Sequence, residues 1–197
     1  DAIIEPGAEI HPNTYITGNT YIHAGCIIGP NTEIHNTIIK ENTCIKHSLV
    51  SDSKIGSNTT IGPFAQLRNN TIIGNNIRIG NFVEVKNSTV DEGSKLPHLL
   101  YVGDSDVGKD VNFGCGCVTV NYDGRNKSRT TVKDGAFIGC NTNLVAPVTI
   151  GENAFTAAGS TITEDVPDNA LAVARSRQSI KKDWVNIKKP YKRQHTK

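Results

Sequence analysis

The chain has 197 residues and a net charge of +2, with 18 Gly, 5 Cys, no Met and 6% aromatic residues. That is enough for one domain with a sizeable core, or a small domain with appendages, and the composition argues against a compact α/β domain and for a solenoid of short strands and tight corners. An odd number of cysteines without disulfide or zinc-knuckle spacing points to a reduced, cytoplasmic compartment, and no stretch is long and apolar enough for a membrane helix, so no membrane partner is expected.

In chain order, the first strong signal is a beat of six. Ile4, Ile10, Ile16, Ile22, Ile28 and Ile34 form one run. Ile55, Ile61, Leu67, Ile73, Ile79 and Val85 form a second, and Val132, Ile138, Leu144, Ile150, Thr156 and Ile162 a third. A small or β-branched residue usually follows four places later, as at Thr32, Thr59, Ala65, Val83, Thr142, Val148 and Ala154. Six is no helical period and outlasts any single strand; hexapeptide repeats belong to parallel β-helices. Each hexapeptide then supplies one strand and one corner, three close a triangular coil, and the aliphatic residue points inward. The beat slips at Ile39, Ile45 and Val50, and is expected to break between Val85 and Val107 and again between Val120 and Val132. About nine coils are expected over residues 1–170, with an insertion loop at 121–131. Residues 171–197 form a basic tail with a short strand and a brief helix near Ile180 to Ile187.

Four histidines, His11, His23, His35 and His47, lie twelve residues apart. Twelve residues is two faces of a triangular coil, so they point in different directions and no metal site is expected from them. Further on, Arg68 and Lys86 lie eighteen residues apart, hence stacked on adjacent coils. Two stacked cations repel unless an anion or an acid lies between them, so either a bound phosphate or a salt bridge from Glu84 or Glu92 would answer. "GSKLPHLLYVGD", residues 93–104, carries His98 where the beat is lost; it is either a structural histidine or, beside Glu84, Lys86 and Arg68, part of a functional site. "NFGCGCVTV" sets Gly114 and Gly116 around Cys115, either for packing or to leave backbone N–H groups free for an oxyanion. "NYDGRNKSRTT" is polar turn chemistry that leaves the coil, with Lys127 and Arg129 at its tip.

The last segment sharpens the charge balance. From Arg175 to Lys197 nine Lys/Arg meet one Asp (+8), while the other residues hold twelve Lys/Arg and eighteen Asp/Glu (−6). With only Trp184 and Tyr191 for stacking, a solvated tail or a seat for a phosphorylated small molecule is expected, and no nucleic-acid partner. The chain starts at Asp1 without any Met and is expected to be part of a longer chain, so missing targeting signals carry no weight.

"GPFAQLR", "GNFVEVKNS", "GSKLPHLLYVGD", "VGKDVNFGCGCVTVNYDGRNKSRT", "FIGCNTNLVAPVTIG" and "AAGSTITEDVPDNALAVAR" occur in this order over most of the chain. Together they resemble the acetyltransferase half of the bacterial bifunctional N-acetylglucosamine-1-phosphate uridylyltransferase / glucosamine-1-phosphate acetyltransferase family. The resemblance implies an all-β, left-handed parallel β-helix that assembles as a homotrimer with shared sites. It implies acetyl transfer from acetyl-CoA, as cosubstrate, to the amine of glucosamine 1-phosphate, a step of UDP-GlcNAc and cell-wall synthesis. By motif, His98 matches the general base and Glu84 the acid that orients it. Arg68, Lys86 and Lys127 match phosphate-binding positions, and Tyr101 and Asn112 match sugar-site positions. Asn121 and Tyr122 match acceptor-orienting or acetyl-CoA-binding positions, and Cys115, Cys140, Ala158 and Arg175 match the acetyl-CoA side. Cys140 departs from the Ser of the family, and a thiol is the weaker donor. No "GxGTRM"-type loop is present, so the uridylyltransferase half is expected to be missing from these residues, and with it any need for Mg2+; the acetyltransferase step needs no metal. The alternatives are a hexapeptide acyltransferase for another amine and a silent trimeric scaffold.

Overall fold

In the computed structural model, residues 1–188 are described; the remaining nine residues of the basic tail lie outside the described residues. The chain is a left-handed parallel β-helix. Nine strands of one face, from Ile3–Ile4 to Val148–Ile150, stack in chain order and mark nine coils. The other two faces merge into one 17-stranded sheet, because two nine-residue strands, Arg78–Lys86 and Lys95–Gly103, run unbroken around the corner between them.

The inward aliphatic residues form the core. Ile22, Ile28 and Ile34, all of the second run and all of the third are at most 3% exposed. Ile4 and Ile10, at 43% and 40% exposed, belong to the first coil, which has a neighbour on one side only. The small residues four places later are buried as well and fill the corners. Many corners turn through Asn in the left-handed region, such as Asn58 (φ 55°), Asn76 (φ 57°) and Asn141 (φ 54°), where a short polar side chain carries less penalty than a bulky one. Buried hydroxyls bond back to nearby carbonyls, for example Ser48 Oγ to Lys46 O and Thr20 Oγ1 to Thr17 O, both 2.7 Å.

One expectation fails. Residues 93–104 do not interrupt the coil. Val90, Leu96, Val102 and Val107, each at most 2% exposed, carry the inward row straight through. Shortened steps between Val85 and Val90 and between Val102 and Val107 trim two corners and shift the phase of the beat. The strand Lys95–Gly103 pairs in parallel with Arg78–Lys86, placing Asn81 beside His98, Glu84 beside Tyr101 and Lys86 beside Gly103. The insertion after Val120 leaves the coil as expected, and the coil resumes with the strand Thr130–Val132. The tail adds the strand Leu171–Ala172 to the last coil, and its helix starts later than expected, at Trp184, and is described to Lys188. Among the described residues no helix is long and apolar enough to cross a membrane.

Leu67 is fully buried in mid-solenoid. Leu67→Ala should lower unfolding stability by about 2–5 kcal/mol at fixed protein concentration, while Ile72→Ala on the outer surface should cost less than about 1 kcal/mol. Urea midpoints test this, and equal shifts would refute the inward assignment of Leu67.

Candidate active site

Parallel register turns equivalent positions of successive coils into columns. One column starts at His98. Lys95 pairs with Asn112 and Tyr101 with Val118, which sets His98 below Cys115 in the next coil. Asn141 N donates to Cys115 O and Gly159 N to Cys140 O, both at 2.8 Å, so the column continues through Cys140 to Ala158. The Arg175 side chain lies over Gly159, the next residue. His98, Cys115, Cys140 and Ala158 are all exposed along this line. With adjacent coils about 4.8 Å apart, the line from His98 to Ala158 is about 14 Å long. The half-buried Asn112 stands on the same face, three residues before Cys115.

The partner of His98 was missed. His98 Nδ1 lies 3.1 Å from Asn81 Oδ1. An amide oxygen only accepts, so this contact puts the ring proton on Nδ1 and the lone pair on Nε2. Glu84 is engaged elsewhere: its Oε1 accepts from Arg68 Nε at 2.9 Å and Arg68 Nη2 at 2.7 Å. The expected contact between Glu84 and His98 is therefore corrected. Glu84 belongs to the face beyond the corner, where register pairs it with Tyr101.

The second set of residues gathers on that neighbouring face. Arg68 and Lys86 are in register, as expected, and each has its own carboxylate. Glu84 takes Arg68, and Asp104 takes Lys86 Nζ at 3.1 and 3.3 Å. Asp104 also accepts from Asn87 and Asn121. Burial pushes against both charges, but the surrounding groups, the Asp104 carboxylate foremost, together outweigh it and hold the Lys86 ammonium above its usual pKa. In the same way, Asn87, Lys86 and Asn121 pull the Asp104 carboxyl below its usual value. Lys127 is exposed but not at the loop tip: it bridges Tyr122 below the turn at 123–126, and Arg129, also expected at the tip, is bound at the root of the loop. Tyr101 OH is 3.5 Å from Asn121 Nδ2, and a Cβ at Gly103 would fall 2.4 Å from that hydroxyl, so Gly103 makes room for it. Asp104 was also missed. This coil is one residue shorter than the one below it, so Lys86 is in register with Gly103 and Asp104 stands one residue beyond the stacking position, a place that eighteen-residue stacking does not account for.

The insertion loop is fastened at its root. Ser128 N donates to Asn121 O at 2.9 Å, and Arg129 bonds Asp106, Ser105 O and Asn87 O. Asp123 Oδ1 accepts from Arg125 N and Asn126 N, closing the turn, while exposed Tyr122 donates to Gly124 O at 2.7 Å. The N–H groups of Gly114 and Gly116 are not free for an oxyanion, because they donate to Ile138 O and Leu99 O. Gly114 serves packing: a Cβ there would meet Cys140 N at 2.5 Å. Of the four spaced histidines, His23 sits between Glu5 and Glu41, and His35 bonds Thr17 at 2.9 Å. Among the described residues no group of three His, Cys, Asp or Glu side chains is placed to hold a metal.

The corner between the two faces is apolar and uncovered. Phe64, Phe82 and Leu99 occupy it on successive coils at 58%, 57% and 58% exposure, and the two phenyl rings stack at 5.6 Å. All three have left-handed φ, 59°, 57° and 47°, at positions where other corners use Asn. A bulky side chain in that region carries a backbone penalty of about 1–2 kcal/mol.

Comparison with known proteins matches the GMPPB C-terminal domain to residues 1–98 and the bacterial transferase hexapeptide (six repeats) to residues 129–164. The chain is similar to the bifunctional protein GlmU of Acholeplasma laidlawii, 59% identical over 184 residues, and to that of Geobacillus sp., 57% over 186 residues. These matches cover 93% and 94% of this chain but 40% and 39% of the relatives, so the chain spans about two-fifths of their length. Among solved structures, a UDP-N-acetylglucosamine acyltransferase superposes at a TM-score of 0.62 with 20% identity, covering 87% of this chain and 71% of that one. The Francisella novicida UDP-N-acetylglucosamine acyltransferase superposes at 0.57 with 20% identity, covering 87% and 67%. Likeness at that identity bears on the fold.

The five thiols differ sharply in access. Cys115 and Cys140 are exposed, whereas Cys26 and Cys117 are buried and burial pushes the Cys117 thiol up to about 11. Iodoacetamide applied to the native protein at pH 8 should label Cys115 and Cys140 and spare Cys26 and Cys117, as read by peptide mass spectrometry. Comparable labelling of Cys117 would contradict its place in the core.

Proposed function

The chain belongs to the hexapeptide-repeat proteins of the GlmU type, and on that footing we propose that it transfers the acetyl group of acetyl-CoA to the amine of glucosamine 1-phosphate. The observation that carries the reading is the exposed line His98–Cys115–Cys140–Ala158 beside a face bearing Arg68, Lys86 and Lys127. An extended acyl-CoA arm fits along the line, with Arg175 at its far end for a phosphate. The cationic face fits the sugar phosphate, a dianion that favours stacked and paired cations. We place the uridylyltransferase step of such a bifunctional chain, with its Mg2+, outside these residues, and the whole in the cytoplasm.

His98 Nε2 takes a proton from the substrate ammonium, and the freed amine attacks the thioester carbonyl. The tetrahedral intermediate still carries two protons on nitrogen; one passes to solvent as the C–S bond breaks, so CoA leaves as a thiolate and a neutral amide remains. The imidazolium then returns its proton to the thiolate or to solvent. Asn81 keeps the ring in the tautomer this requires. No covalent enzyme intermediate is needed, and Cys140, standing where the family has Ser, has no nucleophilic role.

Free CoA thiol should appear when the protein meets acetyl-CoA and glucosamine 1-phosphate, and not with glucosamine 6-phosphate. His98→Ala should lose about two to four decades of kcat. No release from folded wild-type protein would sink acetyl transfer, and full activity of the variant would remove His98 as the base.

The same reading makes the chain a homotrimer in which neighbouring copies share each site. The apolar corner Phe64–Phe82–Leu99 beside the His98 column supports it, because an uncovered aromatic stack held at a backbone cost fits a surface that a second copy buries. Sedimentation equilibrium should give three copies. The double substitution Phe64→Asn and Phe82→Asn removes the rings but suits the left-handed backbone, and should yield an inactive monomer with intact circular dichroism. A trimer that survives both changes would exclude this corner from the interface.

A further inference from the structure

Asp104 is a buried carboxylate that no part of the proposed chemistry uses. It is 4% exposed and stands at a coil corner with φ 49°. Corner positions in this row of coils bond up and down the solenoid through side chains, as Asn36 does to Asp52 at 3.2 Å. An Asn can both donate and accept in such a row; a carboxylate only accepts. Asp104 therefore ends the row from both sides. Oδ1 accepts from Asn87 below, Oδ2 accepts from Asn121 above, and Lys86 Nζ lies within 3.3 Å of both oxygens. Its backbone is engaged too: Asp104 N donates to Lys86 O at 2.9 Å, and Thr130 N, where the chain returns from the insertion loop, donates to Asp104 O at 3.1 Å.

Buried, fully subscribed and negative, this side chain offers nothing to a phosphate. It touches instead the groups that would. The proposed function places Lys86 in the phosphate seat, Asn121 begins the loop that bears Lys127, assigned to the same seat, and Asn121 Nδ2 also reaches Tyr101 OH. Resting on the proposed acetyl transfer, we infer that Asp104 is a positioning residue, fixing the Lys86 ammonium and the Asn121 amide at a set separation so that coil and insertion loop present one phosphate seat. An amide at this position would turn a donor toward either Lys86 or Asn121, and that partner would lose its acceptor.

The test is a double-mutant cycle on the full chain, read by calorimetric binding of glucosamine 1-phosphate and by KM and kcat. Asp104→Asn and Lys86→Ala should each weaken binding about tenfold, and the double variant should be within about twofold of Lys86→Ala alone, because one acts through the other. Asn87→Gly, which suits the left-handed backbone there (φ 48°) and removes the contact from the coil below, should leave affinity within about twofold of wild type. Unchanged affinity in Asp104→Asn, or losses that multiply to about a hundredfold in the double variant, would overturn the inference. Should Asp104→Asn not fold, the cycle of Lys86→Ala with Asn121→Ala carries the same test. Non-additive losses support a shared anchor and independent losses refute it. Wild-type protein that binds glucosamine 1-phosphate without releasing CoA would sink acetyl transfer while leaving this cycle to judge Asp104. Wild-type protein that binds none would sink the seat and Asp104 with it.

Discussion

Everything in this molecule depends on the parallel hydrogen-bond register between coils. Strand N–H and C=O groups find their partners in the coil above or below, so a coil cannot slide without orphaning a whole row of buried backbone groups. The register makes each position in a coil the address of a column. Chemistry therefore comes in lines about 4.8 Å per step rather than in a cleft between lobes. That is why His98, Cys115, Cys140 and Ala158, spread over sixty residues of sequence, share one exposed line. A shallow cavity of about 460 Å3 lies elsewhere, between Tyr15, His35, Leu49 and Gln66, and carries none of these groups.

Stacking has an electrostatic consequence. Placing Arg68 directly below Lys86 holds two cations near one another, and the fold answers with an interleaved carboxylate for each. The two pairs differ in weight. Arg68 and Glu84 are each about one-third exposed, where an ion pair is worth little net. Lys86 and Asp104 are buried, so losing either partner would strand a charge in a poor solvent. Each of these cations is thus matched by one carboxylate, and the exposed Lys127 of the insertion loop is the further positive charge that the proposed phosphate seat draws on.

The corners show where the coil gives way to other demands. Asn58, Asn76 and Asn141 take the left-handed turn at low cost, whereas Phe64, Phe82 and Leu99 take it against their own preference. Among the described residues, bulky apolar side chains and left-handed backbone coincide along this one edge, next to the candidate base, and such disagreements tend to mark function.

What the sequence determined by itself was the coil. A six-residue beat of aliphatic residues, with a small residue four places on, states which side chains point inward and where chain must turn, because those two periods leave no other way to bury the row. One-coil arithmetic likewise placed Arg68 under Lys86, and the polar run at 121–131 announced its departure from the coil. The misreading of residues 93–104 came from two trimmed corners: phase shifts by one residue look like a break when only the sequence is seen, yet the core absorbs them because the inward row needs stacking, not equal spacing. Only the tertiary structure decided the partnerships. Glu84 could have met His98 or Arg68, and the corner between the faces settled it for Arg68. Asn81 and Asp104 gained their roles from side-chain reach across coils, a distance of a few ångströms that no spacing in the sequence records.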